Sequence, residues 1–151
     1  QNSEVRNQTS IGILLIFSLF LGGIGYSLAP VLEIWGGDPP NLLRIYRLFP
    51  RKAFCLEHIN SIYGARVQET FSYVPSRGLY LVEVASPSPA VFEYYGLEVG
   101  RVGKKRLYRP MKPLILRSMD YSRHRLFVRG KAISLQGLVK PGDTLKIKIR
   151  E

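Results

Sequence analysis

No charged residue stands between Arg6 and Glu33. Residues 11–32 read IGILLIFSLFLGGIGYSLAPVL, with Ser18, Tyr26 and Ser27 as the only polar side chains. A bilayer core about 30 Å thick takes roughly 20 apolar helical residues at 1.5 Å each. A helix apolar on every face needs either lipid or a large enclosing core. The rest of this chain is too small to enclose one. The run therefore predicts a transmembrane anchor over residues 11–35, after an N-terminal tail at 1–10. Trp35 is expected at headgroup depth, where interfacial Trp residues collect.

A cleaved leader is the alternative. Ser27-Leu28-Ala29 has the small-x-small spacing of a cleavage site, with Arg6 as the basic flank. Pro30 would follow the cut directly, and its ring fits a protease subsite poorly, which favours the uncleaved anchor. Arg44, Arg47, Arg51 and Lys52 follow the run while only Arg6 precedes it. Counted literally, that points the domain toward the cytoplasm, but long domains cross regardless of such charge.

Gly36-Gly37-Asp38-Pro39-Pro40 reads as a turn and spacer, giving a linker at 36–41 and a β-rich domain at 42–151. Short runs rich in Val, Ile, Tyr and Phe, alternating with polar residues, predict strands near 42–48, 53–59, 66–74, 78–85, 113–118, 124–129, 131–136 and 144–150. In the last, Leu145, Ile147 and Ile149 alternate with Lys146, Lys148 and Arg150. Pro75-Ser76-Arg77-Gly78, Arg129-Gly130 and Lys140-Pro141-Gly142-Asp143 read as turns, the last of type II. Pro89–Tyr95 reads as one helical turn and residues 100–112 as a basic loop. The expected fold is all-β: a small β-sandwich or partly open barrel behind one N-terminal transmembrane helix.

Catalytic signals are weak. His58 and His124 show no metal-ligand spacing, and Cys55 is the only cysteine. No metal and no cofactor is expected. The segment from Gly100 to Lys105 lacks the strand–loop–helix context of a phosphate loop and the Ser/Thr after its Lys. No catalytic residue is assigned. A hydrolase or transferase using Ser61 and Glu69 is the rival reading, without a nucleophile-elbow glycine pattern behind it. Cys55, between Phe54 and Leu56, reads as a small core residue.

Charge is the stronger signal. The net charge is +11, and from residue 36 onward the chain carries 21 basic and 9 acidic residues. Lys104, Lys105, Arg106, Arg109 and Lys112 are the expected contacts for an anionic surface or an acidic partner. Tyr108, Tyr121 and Phe127 lie among the cations, which leaves nucleic-acid binding as an alternative. Proximity to an anchor favours anionic lipid.

Asn60, Ser61, Tyr63, Gly64 and Glu69 form the best candidate ligand- or partner-binding site. They gather polar groups around a turn between strands. By the two-residue period Val67, Glu69, Phe71 and Tyr73 share one face of strand 66–74, and Arg66 lies on the other. Glu69 among apolar neighbours needs a partner, and Ser61, Asn60 or a backbone donor is expected to supply it.

The segment His58-Ile59-Asn60-Ser61-Ile62, followed by Val67-x-Glu69-x-Phe71, resembles the signature of the bacterial and archaeal family called domain of unknown function 1850. That family has a His-Ser-Val-like step, a short turn and a Val-x-Glu-x-Phe/Tyr strand. Asn60 stands where the family often has His, with His58 two positions earlier. Gly78–Glu83, Glu93–Leu97 and the stretch from His124 to Asp143 are also similar to it, so the likeness covers most of residues 53–149. The resemblance implies a small exported or membrane-anchored β protein without an assigned activity. Such proteins are often encoded beside TRAP transporters of the TAXI type. It implies a single-pass protein of the cell membrane with an extracytoplasmic domain. The resulting expectation is a non-enzymatic accessory or binding module, associated with a TRAP-type solute transporter.

Overall fold

The computed structural model describes residues 2–98 and 103–151. Helix α1 (Asn2–Ser27) leads into β1 (Val31–Gly36), β2 (Asn41–Arg47), β3 (Ala53–Ile59), β4 (Arg66–Val74) and β5 (Gly78–Ser86). A short helix α2 (Pro89–Tyr94) follows, then β6 (Gly103–Met111), β7 (Leu114–Arg117), β8 (Arg125–Val128), β9 (Lys131–Ser134) and β10 (Thr144–Arg150). The strands make two antiparallel sheets: β2-β1-β10-β7, and β6-β5-β4-β3-β8-β9. Leu32, Ile34, Leu145 and Ile147 of the first sheet share one core with Phe54, Leu56, Phe71 and Leu126 of the second. The architecture is an all-β sandwich and not a closed barrel.

Alternation carries most of this fold. Leu145 and Ile147 on β10 are fully buried between the exposed Thr144 and Lys146 and the half-buried Lys148. The Lys140–Asp143 turn closes with Asp143 N–H donating to the Lys140 carbonyl at 3.1 Å, and Gly142 has φ +86°. The β8–β9 turn puts both Arg129 (φ 54°) and Gly130 (φ 76°) in the left-handed region, the geometry of a two-residue primed turn.

The N-terminal boundary differs from the expected one. The helix stops at Ser27, and Val31–Gly36 is a strand inside the first sheet, paired with both β10 and β2. Pro30 explains the break, because it has no N–H to donate and biases the residue before it away from helix. The anchor assigned to residues 11–35 therefore loses its last residues to the domain, and Trp35 stands in β1 and not in the helix. Its indole N–H donates to Glu33 Oε2 at 2.9 Å, and Lys148 Nζ lies 4.2 Å from the centre of its ring. Arg150 (2.6 Å) and Lys148 (3.4 Å) pair with Glu33. The Arg150 hydrogen bond leads in holding the Glu33 carboxyl below its usual range.

The linker assigned to 36–41 is a hairpin turn between β1 and β2. A Cβ on Gly36 would lie 2.5 Å from Val139 Cγ1 and 2.9 Å from Leu145 Cδ2. That glycine serves close packing.

The basic loop assigned to 100–112 is also corrected. Residues 99–102 lie outside the described residues, but Gly103–Met111 is β6, an edge strand on β5. Pro110 and the adjacent Lys104 and Lys105 are tolerated because, among the described residues, one edge of β6 pairs with no strand, and such residues discourage a further strand from adding there.

Among the described residues no helix is long and apolar enough to cross a membrane. On α1 the consecutive side chains Leu14, Leu15, Ile16 and Phe17 are all exposed, as are Ile11, Leu21 and Ile24. Successive helical residues point about 100° apart, so this apolar surface surrounds the helix. Its last turn meets the domain. Phe49 stands edge-on to Tyr26 at 5.9 Å, and Arg47 Nη1 donates to the Ser27 carbonyl at 2.9 Å.

Candidate functional site

Strands β3 and β4 pair with Leu56 opposite Glu69 and His58 opposite Val67. The two-residue period therefore puts Phe54, Leu56 and His58 on the inner face of β3, and Val67, Glu69 and Phe71 on that of β4. Leu126 and Val128 do the same on β8, and His124 lies two residues before Leu126. At the middle of the sandwich this face is wholly apolar. Toward one end the core opens into a cleft of about 630 Å³, where His58, Glu69 and His124 line the wall. Tyr95 closes one side, and Arg117 and Met119 approach from the opposite sheet.

Glu69 is satisfied by partners other than those expected. Its Oε2 lies 3.4 Å from His58 Nε2, and its Oε1 accepts a hydrogen bond from Tyr95 Oη at 2.8 Å. Burial pulls the His58 pKa down, but the hydrogen bond and charge of Glu69 outweigh it, and the net shift is upward. Burial, then the Glu69 charge, pushes the Tyr95 phenol upward, so it remains a donor. Tyr95 is held in turn by Arg109, whose Nη2 donates to the Tyr95 carbonyl at 2.7 Å.

His124 is the opposite case. Its ring lies nearly parallel to that of His58, with centroids 6.0 Å apart and 14° between planes. Tyr121 approaches it at 5.2 Å and 64°, while the single proton of its hydroxyl is shared between the carbonyls of Leu116 (3.0 Å) and Asp143 (2.9 Å). Burial, and then repulsion from His58, lower the His124 pKa. The Asp120 carbonyl is near enough to oppose that shift, yet the buried Nδ1 has no partner of hydrogen-bonding geometry. A buried polar atom without a partner costs about 1–3 kcal/mol and calls for an explanation. The cleft thus sets a histidine inclined to carry a proton beside one inclined to stay neutral with a vacant ring nitrogen. Such a pair can bind a polar group and exchange a proton with it.

The expected site residues divide. Asn60, Ser61 and Glu69 line the cleft, whereas Tyr63 and Gly64 do not. Asn60 is buried and shapes the turn. Its Oδ1 accepts from the N–H groups of Ile62 (3.0 Å) and Tyr63 (3.1 Å), and Gly64 takes φ +61°. Ser61 is exposed at the rim. Among the described residues it makes no hydrogen bond to either histidine.

The basic residues do not form one surface. Strand alternation on β6 sends Lys104 and Arg106 to one face and Lys105 to the other. Lys104 pairs with Glu83 at 3.0 Å, and Arg109 holds Tyr95. Lys112 is exposed in the turn to β7. Cys55 is half-buried on the outer face of β3, away from the sandwich interior where it was expected. Among the described residues no group of three His, Cys, Asp or Glu side chains could hold a metal ion.

Sequence reasoning left His58, His124 and Tyr95 outside the assigned site, although a triad of Ser61, His58 and Glu69 is conceivable from the sequence. The parity that placed Glu69 on the inner face would have placed His58 beside it, two residues past Leu56. Comparison with protein-family models, with curated proteins and with solved structures finds no match to this chain.

Proposed function

We propose that this chain is a membrane-anchored, non-enzymatic binding module that takes a small carboxylate-bearing solute into the cleft between His58 and His124. The cleft itself carries the reading, because it brings His58, Glu69, His124 and Arg117 to one concave wall at the end of an apolar core. Arg117 in the lining favours an anion there. Two observations count against a hydrolase or transferase built on Ser61 and Glu69. Both Glu69 oxygens are already engaged, and among the described residues Ser61 makes no side-chain hydrogen bond to either histidine.

The anchor is α1. Once β1 is assigned to the domain, the apolar part of the helix is Ile11–Ser27, about 17 residues or about 26 Å, short of the roughly 20 that a straight crossing takes. The exposed Leu14–Phe17 belt supports lipid contact. An extracytoplasmic domain and association with a TRAP-type transporter follow from the family resemblance, and a tethered solute-binding module suits that setting.

Calorimetry of the full chain in detergent tests the binding claim, with succinate as the carboxylate probe and glycerol as the uncharged control. Succinate should bind and glycerol should not. His124→Phe keeps a ring in place, removes both of its nitrogens and should weaken succinate by about tenfold, about 1.4 kcal/mol. Wild-type protein that binds neither probe, or unchanged succinate affinity in the variant, contradicts the assignment.

A further inference from the structure

A second cleft, also about 630 Å³, lies on the outer face of the larger sheet. Its floor follows from register. Thr70, Cys55 and Phe127 stand abreast on β4, β3 and β8, because Cys55 pairs with Thr70 on one side and with Phe127 on the other. Phe49 and Pro50 form one wall, and Arg51 and Arg129 are at the rim.

Three observations say what this cleft faces. First, it opens at the foot of α1. Phe49 touches the helix, standing edge-on to Tyr26 and 3.3 Å from where a Gly25 Cβ would be. The Arg129 guanidinium carbon lies 5.8 Å over the same Tyr26 ring. Second, the two rim arginines are exposed, and among the described residues neither is in an ion pair. Third, Arg129 occupies a left-handed backbone position (φ 54°) in a turn that favours Asn, Asp or Gly. An arginine kept at a strained position, aimed at the helix foot, points to a role outside the fold.

We infer that this cleft holds one anionic phospholipid from the bilayer around α1, its phosphate between Arg51 and Arg129 and its glycerol and upper acyl chain against Phe49, Cys55 and Phe127. The inference rests on α1 being a membrane anchor. Charge complementarity selects the headgroup, since guanidinium groups bind phosphate oxygens in pairs. The apolar floor selects a lipid over a free phosphate. The lipid would fix the orientation of the domain on the membrane as well as its attachment.

Cys55 provides the readout, as the only thiol in the chain and part of the floor. Burial pushes its pKa up, so maleimide labelling of the full chain in detergent is run at mildly alkaline pH. The probes are dihexanoyl phosphatidylglycerol, dihexanoyl phosphatidylcholine and inorganic phosphate. At ten times its dissociation constant, phosphatidylglycerol should slow labelling about tenfold, while the other two leave it within about twofold. Arg51→Gln with Arg129→Gln should abolish the protection, and Lys at both positions should retain most of it. Equal protection by phosphatidylcholine overturns the choice of an anionic lipid. Equal protection by phosphate overturns a lipid of any kind, and no protection overturns the site. Carbonate extraction of membranes reads the anchor separately. Release of the full chain would refute the anchor, while the short-chain lipids still decide the cleft.

Discussion

Glu69 and His58 stand on neighbouring strands, diagonally across and two residues out of register, with Oε2 and Nε2 separated by 3.4 Å at the end of a hydrophobic core. The carboxylate is the reason His58 is inclined toward its protonated form despite burial. Replacing Glu69 by Gln removes the charge and leaves the burial. The His58 pKa should then fall from above 6.5 to below it, as read from imidazole proton shifts in an NMR titration. A His58 pKa that stays above 6.5 in Glu69→Gln would mean that another group sets it.

The two histidines should contribute to stability with opposite pH dependence. The folded pKa of His58 lies above the unfolded value of about 6.5, so its contribution is complete below that pH and fades as pH rises through the folded value. His124 has a lowered folded pKa, so its contribution is present above about 6.5 and is lost as pH falls through that lower value. Melting temperatures of wild type, His58→Gln and His124→Phe from pH 5 to 8 check this. The gap between wild type and His58→Gln should be wider at the acid end and narrower at the alkaline end. Parallel curves for all three proteins would contradict the assignment.

β1 fixes where the domain begins. A chain starting at Leu28 keeps Leu32 and Ile34, both fully buried, and should fold without α1. A chain starting at Pro39 loses a strand paired on both sides and should fail to give a cooperative urea transition. Cooperative unfolding of the shorter chain would show β1 to be dispensable.

Gly36 offers a smaller test of the same strand. An added methyl meets Val139, Leu145 and Leu43 at 2.5–2.9 Å, so Gly36→Ala should destabilise the domain by about 1–3 kcal/mol in chemical denaturation. An unchanged midpoint would mean that the packing around β1 is loose.

The parts of this fold legible in the sequence are those where one face is dry and the other wet. β10 and β4 announce themselves through Leu145, Ile147, Val67 and Phe71, and the Lys140–Asp143 turn through its Pro-Gly step. β1 was illegible because it pairs on both edges and is covered on both faces. Val31, Leu32, Ile34 and Trp35 read as a continuation of the helix, and only Pro30 marked the change. β6 was hidden by lysines and Pro110, which an edge strand tolerates and a central strand would not. In the site, Glu69 was legible by parity, but its partners were not. His58 arrives from the neighbouring strand, Tyr95 from the end of α2 and His124 from the approach to β8, and no local spacing links them. The basic cluster looked like one surface because strand alternation, which splits it, was not assigned there.

The binding role of the inner cleft turns on the ring of His124, which lines it. A long-range proton–nitrogen NMR correlation at neutral pH, with and without succinate, observes it directly. The ring nitrogens of the free protein should report a neutral imidazole, and succinate should move their resonances as it seats against the ring. Ring resonances that stay in place at saturating succinate would contradict the assignment.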